Sequence, residues 1–292
     1  MSAVVDQAAA QGAAPQRRGR RRARRSVTLG IGLTLVGLVA LVALVSFFWL
    51  PYAPSDTSGG RLEHPGPEHW LGTDKLGRDL LSQLMVGARI ALAVGLGSVA
   101  IGALIGVTIG LLAAFASTWL DDTISAVLDI LIAFPTLLLA MLIVAAQGAS
   151  LGTAILAIGL AMSAVIARLT RVLAKRVLGH QYVTAARTSG TGWPGVVGRH
   201  VLPNIWPTLL VNLALQFGIA VLAEASLSYL GLGAPPPNAS WGRLLQEAQG
   251  TVAVAPVGAI APGVALVVLV IGVNLVADGL RDVVDPTRRR SR

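Results

Sequence analysis

The sequence predicts an all-α membrane protein, and its composition and its apolar runs carry that prediction. Only 13% of the 292 residues are charged and 54% are hydrophobic, whereas about a quarter of a soluble domain is charged. The apolar residues form long runs, each near the roughly 20 residues that a helix needs to cross the hydrocarbon core. Such runs favour helices, because a helix satisfies its own backbone hydrogen bonds in lipid. The alternating ten-residue segments typical of a membrane β-barrel are missing.

The first 26 residues are predicted to be a disordered, basic and cytoplasmic N-terminus. They are small and polar and include the arginine-rich stretch Arg17–Arg25, a composition that favours disorder. Next to an apolar segment, we interpret this stretch as holding the N-terminus against anionic lipid rather than binding nucleic acid. Residues 27–50 exceed the roughly 7–15 apolar residues of a signal-peptide core, so we predict a retained first transmembrane helix.

Residues 51–86 are predicted to form an extracytoplasmic loop that ends in a short interfacial helix. Four prolines between positions 51 and 67 favour an extended, exposed chain. Near its end stands a dense group of charges, in which Asp79 lies where a helix N-terminus favours a negative charge. Two interpretations of this group stay open: an internal clasp that holds an outer gate, or a docking surface. His64 and His69 are interpreted as surface histidines, since two histidines without a fixed third ligand are weak evidence for a metal site.

Five further apolar runs predict the remaining spans, which lie at about 87–116, 123–147, 151–174, 205–230 and 256–277. Residues 87–280 form the predicted core and 281–292 a cytoplasmic tail. Frequent glycines in these runs favour close helix contacts. Pro135, inside the third run, removes a backbone donor and predicts a kink.

The distribution of basic residues supports six spans with both termini in the cytoplasm. Eighteen of the 23 lysines and arginines lie before the first span, in the last turns of the fourth and the loop that follows it, or after the sixth. Positive charge accumulates on the cytoplasmic side of a membrane protein. The strong positive charge of the chain is therefore explained by membrane orientation rather than by nucleic acid.

The predicted cytoplasmic loop 178–204, between spans four and five, has too regular a pattern for a slack linker. Residues 182–188 predict a short helix with small residues on one side, and Gly190 and Gly192 end it. Pro194 can start a second short helix, at a position that tolerates a missing N–H, and Pro203 then opens span five. A helix with a small-residue face suits docking into a groove on another protein.

This loop, "HQYVTAARTSGTGWPGVVGRHVLPN", resembles the cytoplasmic coupling loop of ATP-binding-cassette (ABC) importer permeases. That motif is E-A-A, three residues, G, nine residues, I-x-L-P. Five positions are in register, while Thr184 replaces the acidic residue and His200 the isoleucine. Three more segments, 71–92, 224–245 and 274–286, are similar to the C-type permeases of dipeptide, oligopeptide, glutathione or nickel importers. The residues assigned to ATPase coupling are Tyr182, Thr184, Ala185, Ala186, Gly190, His200, Leu202 and Pro203.

The resemblance implies a type I ABC importer permease fold in the bacterial cytoplasmic (inner) membrane. It implies a heterodimer with a sister permease, two ATP-binding subunits and an extracytoplasmic solute-binding lipoprotein. Peptides would cross by alternating access, with nickel or glutathione as the alternative cargo. The chain would bind no cofactor or metal and carry no catalytic residue, because ATP and Mg²⁺ would bind to the partner ATPases. The chain contains no G-x-x-x-x-G-K-[ST] phosphate loop.

Several polar positions are candidates for the transport pathway, each with a structural alternative. Asn212 and Gln216 are four residues apart and share a helix face, where they could line a cavity or bond to neighbouring helices. Asp129 is interpreted as an interfacial charge, with a gate residue as the alternative. The pathway candidates are Asn212, Gln216, Glu224 and Pro135. The candidates for an outer gate or a binding-protein contact are Asp74, Lys75, Arg78, Asp79 and Trp241.

Two other functions are alternatives to an ABC permease: a proton-coupled secondary transporter and a membrane scaffold. A proton-coupled secondary transporter needs buried, paired carboxylates in mid-membrane and is often built from paired repeats. The sequence offers only Glu224, near the edge of a span. A membrane scaffold without transport would not need the patterned loop 178–204.

Overall fold

The computed structural model describes the backbone of residues 16–235 and 239–284 and the side chains of residues 27–235 and 239–283. Its regular elements are all helical. In chain order they are α1 (Gln16–Phe48), α2 (Leu80–Phe115), α3 (Thr118–Ala133), α4 (Thr136–Gln147), α5 (Leu151–Leu178), α6 (Gln181–Thr188), α7 (Trp193–Val196), a π-helical turn (Val197–Val201), α8 (Leu202–Tyr229), α9 (Trp241–Ala248) and α10 (Val257–Val284).

Within the described residues, five segments are long and apolar enough to cross a membrane, and the pair α3–α4 makes a sixth if it counts as one span. The axes of α3 and α4 differ by 87°, so the predicted kink is a full break. Phe134 and Pro135 separate the two helices and have extended backbone conformations. Because proline has no N–H and disfavours a helical residue before it, the break falls at this dipeptide.

The two terminal helices pack against each other along glycines. A Cβ atom on Gly32 of α1 would lie 2.7 Å from the backbone nitrogen of Val276, and one on Gly272 of α10 would lie 2.9 Å from Cβ of Leu35. Helix α1 begins at Gln16, so residues 16–26, predicted to be disordered, are helical; residues 1–15 lie outside the described residues. Likewise α10 continues to Val284, four residues into the predicted tail, whose remaining residues are not described.

Helices α2 and α5 form the most extensively packed pair. A Cβ atom on Gly106 would lie 2.6 Å from the carbonyl oxygen of Ser163, and one on Gly110 would lie 2.4 Å from that of Ala167. Glycine at these positions lets the two backbones approach closely. Helices α8 and α10 pack beside this pair and complete the helical core.

The predicted interfacial helix before span two differs from the structure. Residues 49–79 contain no helix, and residues 80–86 are the first turns of α2 itself. Asp79 caps that helix, because its side chain accepts a hydrogen bond from the backbone N–H of Ser82. Leu80 and Met85 are buried against protein, so they do not present the apolar face to the membrane that the sequence predicted.

Candidate coupling surface, outer clasp and transport pathway

Helix α6 is fixed to the end of α5 and the start of α8 by an apolar cluster. Val183 of α6, Val196 of α7 and Val201 of the π-helical turn are each at most 3% exposed. They pack with residues of α5 and α8, namely Ala174, Val177, Ile205 and Leu209. Burial of this apolar area stabilises α6 and α7 on the helix ends. A force on α6 therefore acts directly on α5 and α8.

Tyr182 forms a second connection between α6 and the start of α8. Its ring lies 5.5 Å from the ring of His180 and 5.9 Å from that of His200. The amide of Asn204 donates hydrogen bonds to the Tyr182 hydroxyl (3.3 Å) and to the His200 carbonyl oxygen (2.6 Å). The sequence predicted roles for Tyr182 and His200 but not for Asn204, whose side chain joins them.

The small-residue face predicted for α6 is partly exposed. Thr184 and Ala185 are exposed, while Ala186 is half-buried. Gly190 has a φ of +90°, a conformation that favours glycine, and the following N–H of Thr191 bonds the Ala186 carbonyl oxygen at 3.0 Å. His200 and Leu202 are half-buried and Pro203 is exposed. The surface that a partner can reach on α6 is thus centred on Thr184 and Ala185.

A cleft of about 240 Å³ lies between α6, α7 and the ends of α2 and α5. The Arg187 guanidinium stacks 3.5 Å above the ring of Trp193, which meets Phe115 edge to face at 4.9 Å. These three side chains connect α6, α7 and α2. Arg187 and Trp193 were not predicted as site residues, since neither belongs to the coupling motif.

The charged group before α2 is an internal clasp, which we define as Asp74, Arg78, Gln83, Arg243 and Glu247. Asp74 accepts hydrogen bonds from the guanidinium of Arg78 (2.6 Å) and the amide of Gln83 (3.1 Å). Arg78 also contacts Glu247 of α9 at 2.5 Å, and Glu247 pairs with Arg243 at 2.9 Å. The clasp therefore joins the loop before α2 to the loop between α8 and α10.

The same geometry shifts the acidity of Asp74. Burial alone would raise the pKa of its carboxyl, but hydrogen bonds from the Arg78 and Leu76 N–H groups and from the Gln83 and Arg78 side chains outweigh it, so the pKa is lowered. A carboxylate that accepts several hydrogen bonds is stabilised in its charged form. Asp74 is 8% exposed and the Arg78 side chain 15%, whereas Lys75 is exposed. Of these three charges, only Lys75 is available to an external partner.

Asp79 and Trp241 hold α2 in place beside the clasp. The Trp241 indole N–H donates to the Leu84 carbonyl oxygen at 3.0 Å. Asp79 lies 3.0 Å from Nδ1 of His69, whose ring is 4.5 Å from that of Tyr52. The interpretation of His69 as a surface histidine is wrong: it is 7% exposed, because the loop folds it onto the capping carboxylate. His64 is exposed, as predicted.

The pathway candidates do not form one cluster. Gln216 is buried and Asn212 half-buried, and the buried Asn212 Oδ1 has no hydrogen-bond partner among the described residues. Glu224, 3% exposed, accepts a 2.6 Å hydrogen bond from Ser228 and another from Ser240. Because Ser240 caps α9, the hydrogen bonds of Glu224 join α8 to α9, which is a structural role. Pro135 stands apart, at the break between α3 and α4.

An acidic residue at the start of α3 pairs with two cations of α5. The Asp121 carboxylate, 7% exposed, contacts the Arg171 guanidinium at 2.5 and 2.8 Å and also the ammonium of Lys175. A bidentate arginine–carboxylate pair is strong and geometrically specific. From the sequence, Arg171 and Lys175 served only to predict the membrane orientation, because their shared partner is 50 and 54 residues away in the chain.

Comparison with known proteins shows the family to which this chain belongs. Residues 106–290 match the model of the "binding-protein-dependent transport system inner membrane component". The glutathione transport system permease protein GsiD of Pectobacterium atrosepticum is 38% identical over 91% of this chain and 89% of its own length. The dipeptide transport system permease protein DppC of Alkalihalophilus pseudofirmus is 36% identical over 86% of each chain.

A further relative supports this family, and a solved structure has a similar fold. The di/tripeptide transport system permease protein DppC of Pseudomonas aeruginosa is 39% identical over 87% of this chain and 86% of its own length. In fold, the chain is similar to a chain of the MetNI methionine ABC transporter in its inward-facing conformations, with a TM-score of 0.59 and 22% identity over 70% of this chain and 96% of the other. The chain belongs to the family of binding-protein-dependent transport system inner membrane components.

Proposed function

We propose that this chain is the permease subunit of an ABC importer that moves short peptides into the cytoplasm by alternating access. The observation that carries the proposal is the exposed Thr184–Ala185 face of α6, which stands on an apolar cluster shared with α5 and α8. A partner that moves α6 moves the membrane helices with it, as a rigid-body transition between two states requires.

The cargo is proposed from the relatives. Their names specify glutathione, dipeptides and di- or tripeptides, and all of these are short peptides. Nickel is the alternative cargo, which the names of these three relatives do not specify.

The assembly proposed around this chain has a sister permease in the membrane, two ATP-binding subunits below α6 and a solute-binding lipoprotein outside. ATP and Mg²⁺ bind to the ATP-binding subunits. The chain crosses the cytoplasmic membrane six times, with α3 and α4 as one broken span and both termini in the cytoplasm. The basic residues at the termini and around α6 support this orientation.

The coupling role of α6 is tested by Ala185→Glu. Placing a charge on the face that docks leaves it desolvated and unpaired, which is costly at an interface. We expect peptide uptake to fall at least tenfold in cells that express the complete importer, with a normal amount of the permease in the membrane. Gly190 is a poorer test position, because its φ of +90° makes any substitution strained.

The control is Gln249→Glu, an equal change in charge at an exposed position after α9. It should leave uptake unchanged. Unimpaired uptake in the Ala185→Glu variant would show that the ATP-binding subunits do not dock on this face.

A further inference from the structure

One ion pair in this chain lies within a span and is nevertheless open to its surroundings. Nη1 of Arg168 on α5 is 3.1 Å from Oδ1 of Asp129 on α3, and the two side chains are 58% and 61% exposed. Arg168 precedes the end of α5 by ten residues and Asp129 follows the start of α3 by eleven. At 1.5 Å per residue the pair lies about 15 Å along its helices from their cytoplasmic ends.

The neighbouring ion pair shows that this exposure is a specific feature of Asp129 and Arg168. Asp121, two turns earlier on the same helix, is 7% exposed and is held by two cations of α5. A buried pair of that kind serves to join the helices. The pair of Asp129 and Arg168 is joined by a contact of 3.1 Å and leaves most of both side chains uncovered by this chain.

Hydrocarbon would be an unfavourable medium for this ion pair. Charged side chains within a span are rare, and they face a bundle interior or a water-filled cavity rather than lipid. Asp129 also lies only one turn before Ala133, where α3 ends at the 87° break. The pair therefore stands beside the point at which the span changes direction.

We propose that Asp129 and Arg168 line the aqueous translocation pathway in its cytoplasmic half, and that Arg168 is a binding point for the carboxylate of a peptide in transit. The nature of the cargo rests on the proposed function; the aqueous position of the pair does not. A guanidinium offers five N–H donors in a fork that matches a carboxylate. Asp129 occupies Arg168 when no peptide is present, so the peptide replaces one carboxylate by another and the charge balance is kept.

The aqueous position is tested by thiol labelling, for which the chain is suited because it contains no cysteine. Ala126→Cys places a thiol on an exposed position one turn before Asp129. The control, Leu104→Cys, is 72% exposed on α2 and lies eleven residues before the end of that helix, at a similar depth.

In membranes that contain the complete importer, a charged, membrane-impermeant maleimide should label Ala126→Cys and leave Leu104→Cys unlabelled. A protected Ala126→Cys would mean that lipid or the sister permease covers this face, and would overturn the proposal. This result does not depend on which solute the importer carries.

The binding role is tested by ATP-driven uptake of a dipeptide into proteoliposomes of the complete importer. Arg168→Gln should reduce uptake about tenfold, the effect of losing one charged hydrogen-bonding partner, and Arg168→Lys should restore most of it. Asp129→Asn, which breaks the same ion pair, should reduce uptake clearly less than Arg168→Gln does, because Arg168 stays available to the peptide. Equal losses in Arg168→Gln and Asp129→Asn would identify a structural pair and overturn the binding role. If the wild-type importer moves no peptide, the proposed function fails instead, while the labelling result stands.

Discussion

At the scale of single residues, Asp74 is the centre of the clasp. Its Oδ1 accepts hydrogen bonds from the Leu76 N–H at 2.8 Å and the Arg78 N–H at 2.9 Å, which closes a turn. Gly77 within that turn has a φ of +82°, and a Cβ atom there would lie 2.3 Å from the Gly59 carbonyl oxygen. The turn places the Arg78 side chain against Glu247, so one carboxylate organises both the loop and its contact with α9.

The lowered pKa of Asp74 gives the clasp a defined pH dependence. Because the folded protein binds this proton less readily than the unfolded chain, the stabilisation is complete above the unfolded pKa of about 3.9 and is lost as the pH falls through the lowered folded value. We expect the contribution of Asp74 to the thermal unfolding temperature of the detergent-solubilised protein to be constant between pH 5 and 8. This contribution should be lost only in stronger acid, below the unfolded pKa.

Asp74→Asn removes the charge while keeping the shape of the side chain. We expect it to destabilise the protein by about 2 kcal/mol at neutral pH, the magnitude of hydrogen bonds to a charged group. The comparison is Lys75→Gln, an exposed neighbour with no ion pair among the described residues, which should unfold at the wild-type temperature. Equal unfolding temperatures for Asp74→Asn and wild type would contradict the clasp.

At the scale of helices, close contacts between backbones decide which substitutions are tolerated. Gly110→Ala would bring a methyl group 2.4 Å from the Ala167 carbonyl oxygen and 2.6 Å from Cβ of Thr170. The two helices must then separate, and we expect destabilisation of about 1–3 kcal/mol, as for other overpacked cores. Thermal unfolding and the amount of folded permease in the membrane measure this effect.

Gly37→Ala on α1 is the matched control, because nothing lies within 4 Å of a Cβ atom there. Alanine should be neutral or slightly stabilising at that position, since it suits a helix better than glycine does. Similar losses for both glycines would show that helix packing does not distinguish them.

The sequence predicted the helices better than the contacts between them. Long apolar runs located α5, α8 and α10, because the thickness of the membrane sets the length of a span. The second span was predicted to begin at about residue 87, whereas α2 begins at Leu80. The position of Asp79 at a helix N-terminus was predicted correctly. The burial of Leu80 was not, because it depends on how the preceding loop folds. The sequence predicted only a kink where the structure has an 87° break. A proline shows where a helix is interrupted but not how far the chain turns there.

The candidate site was predictable only where its residues are close in the chain. The register around Ala185 and Gly190 located the α6 surface, since a single loop contains it. The contacts of Arg78 with Glu247 and of Asp121 with Arg171 join positions 169 and 50 residues apart. One sequence without distances cannot distinguish such partners from other charges of the right sign.

At the scale of the whole molecule, the path of α3 and α4 decides the topology. If the two helices form one span, loop residues 49–79 and α9 lie outside and α6 lies in the cytoplasm. If they form a re-entrant hairpin, α6 and everything after it change sides. Six spans agree with the basic residues on both sides of α6.

Single cysteines in this cysteine-free chain separate the two topologies. With six spans, an impermeant maleimide added to intact spheroplasts should label Lys75→Cys and Gln249→Cys, and should label Thr188→Cys only after permeabilisation. All three positions are exposed in the structure. Labelling of Thr188→Cys but not Gln249→Cys in intact spheroplasts would establish the re-entrant arrangement.

The length of α2 determines how movements at the two faces of the membrane are coupled. Its 36 residues form a continuous rod of about 54 Å, longer than the hydrocarbon core. One end carries Gln83 of the clasp, and the other end carries Phe115 against Trp193 of α7. The two faces of the membrane are therefore linked by one unbroken helix with no hinge between them. A tilt of this rod moves both of its ends at the same time. Helix α2 therefore couples conformational changes at the two faces of the membrane mechanically.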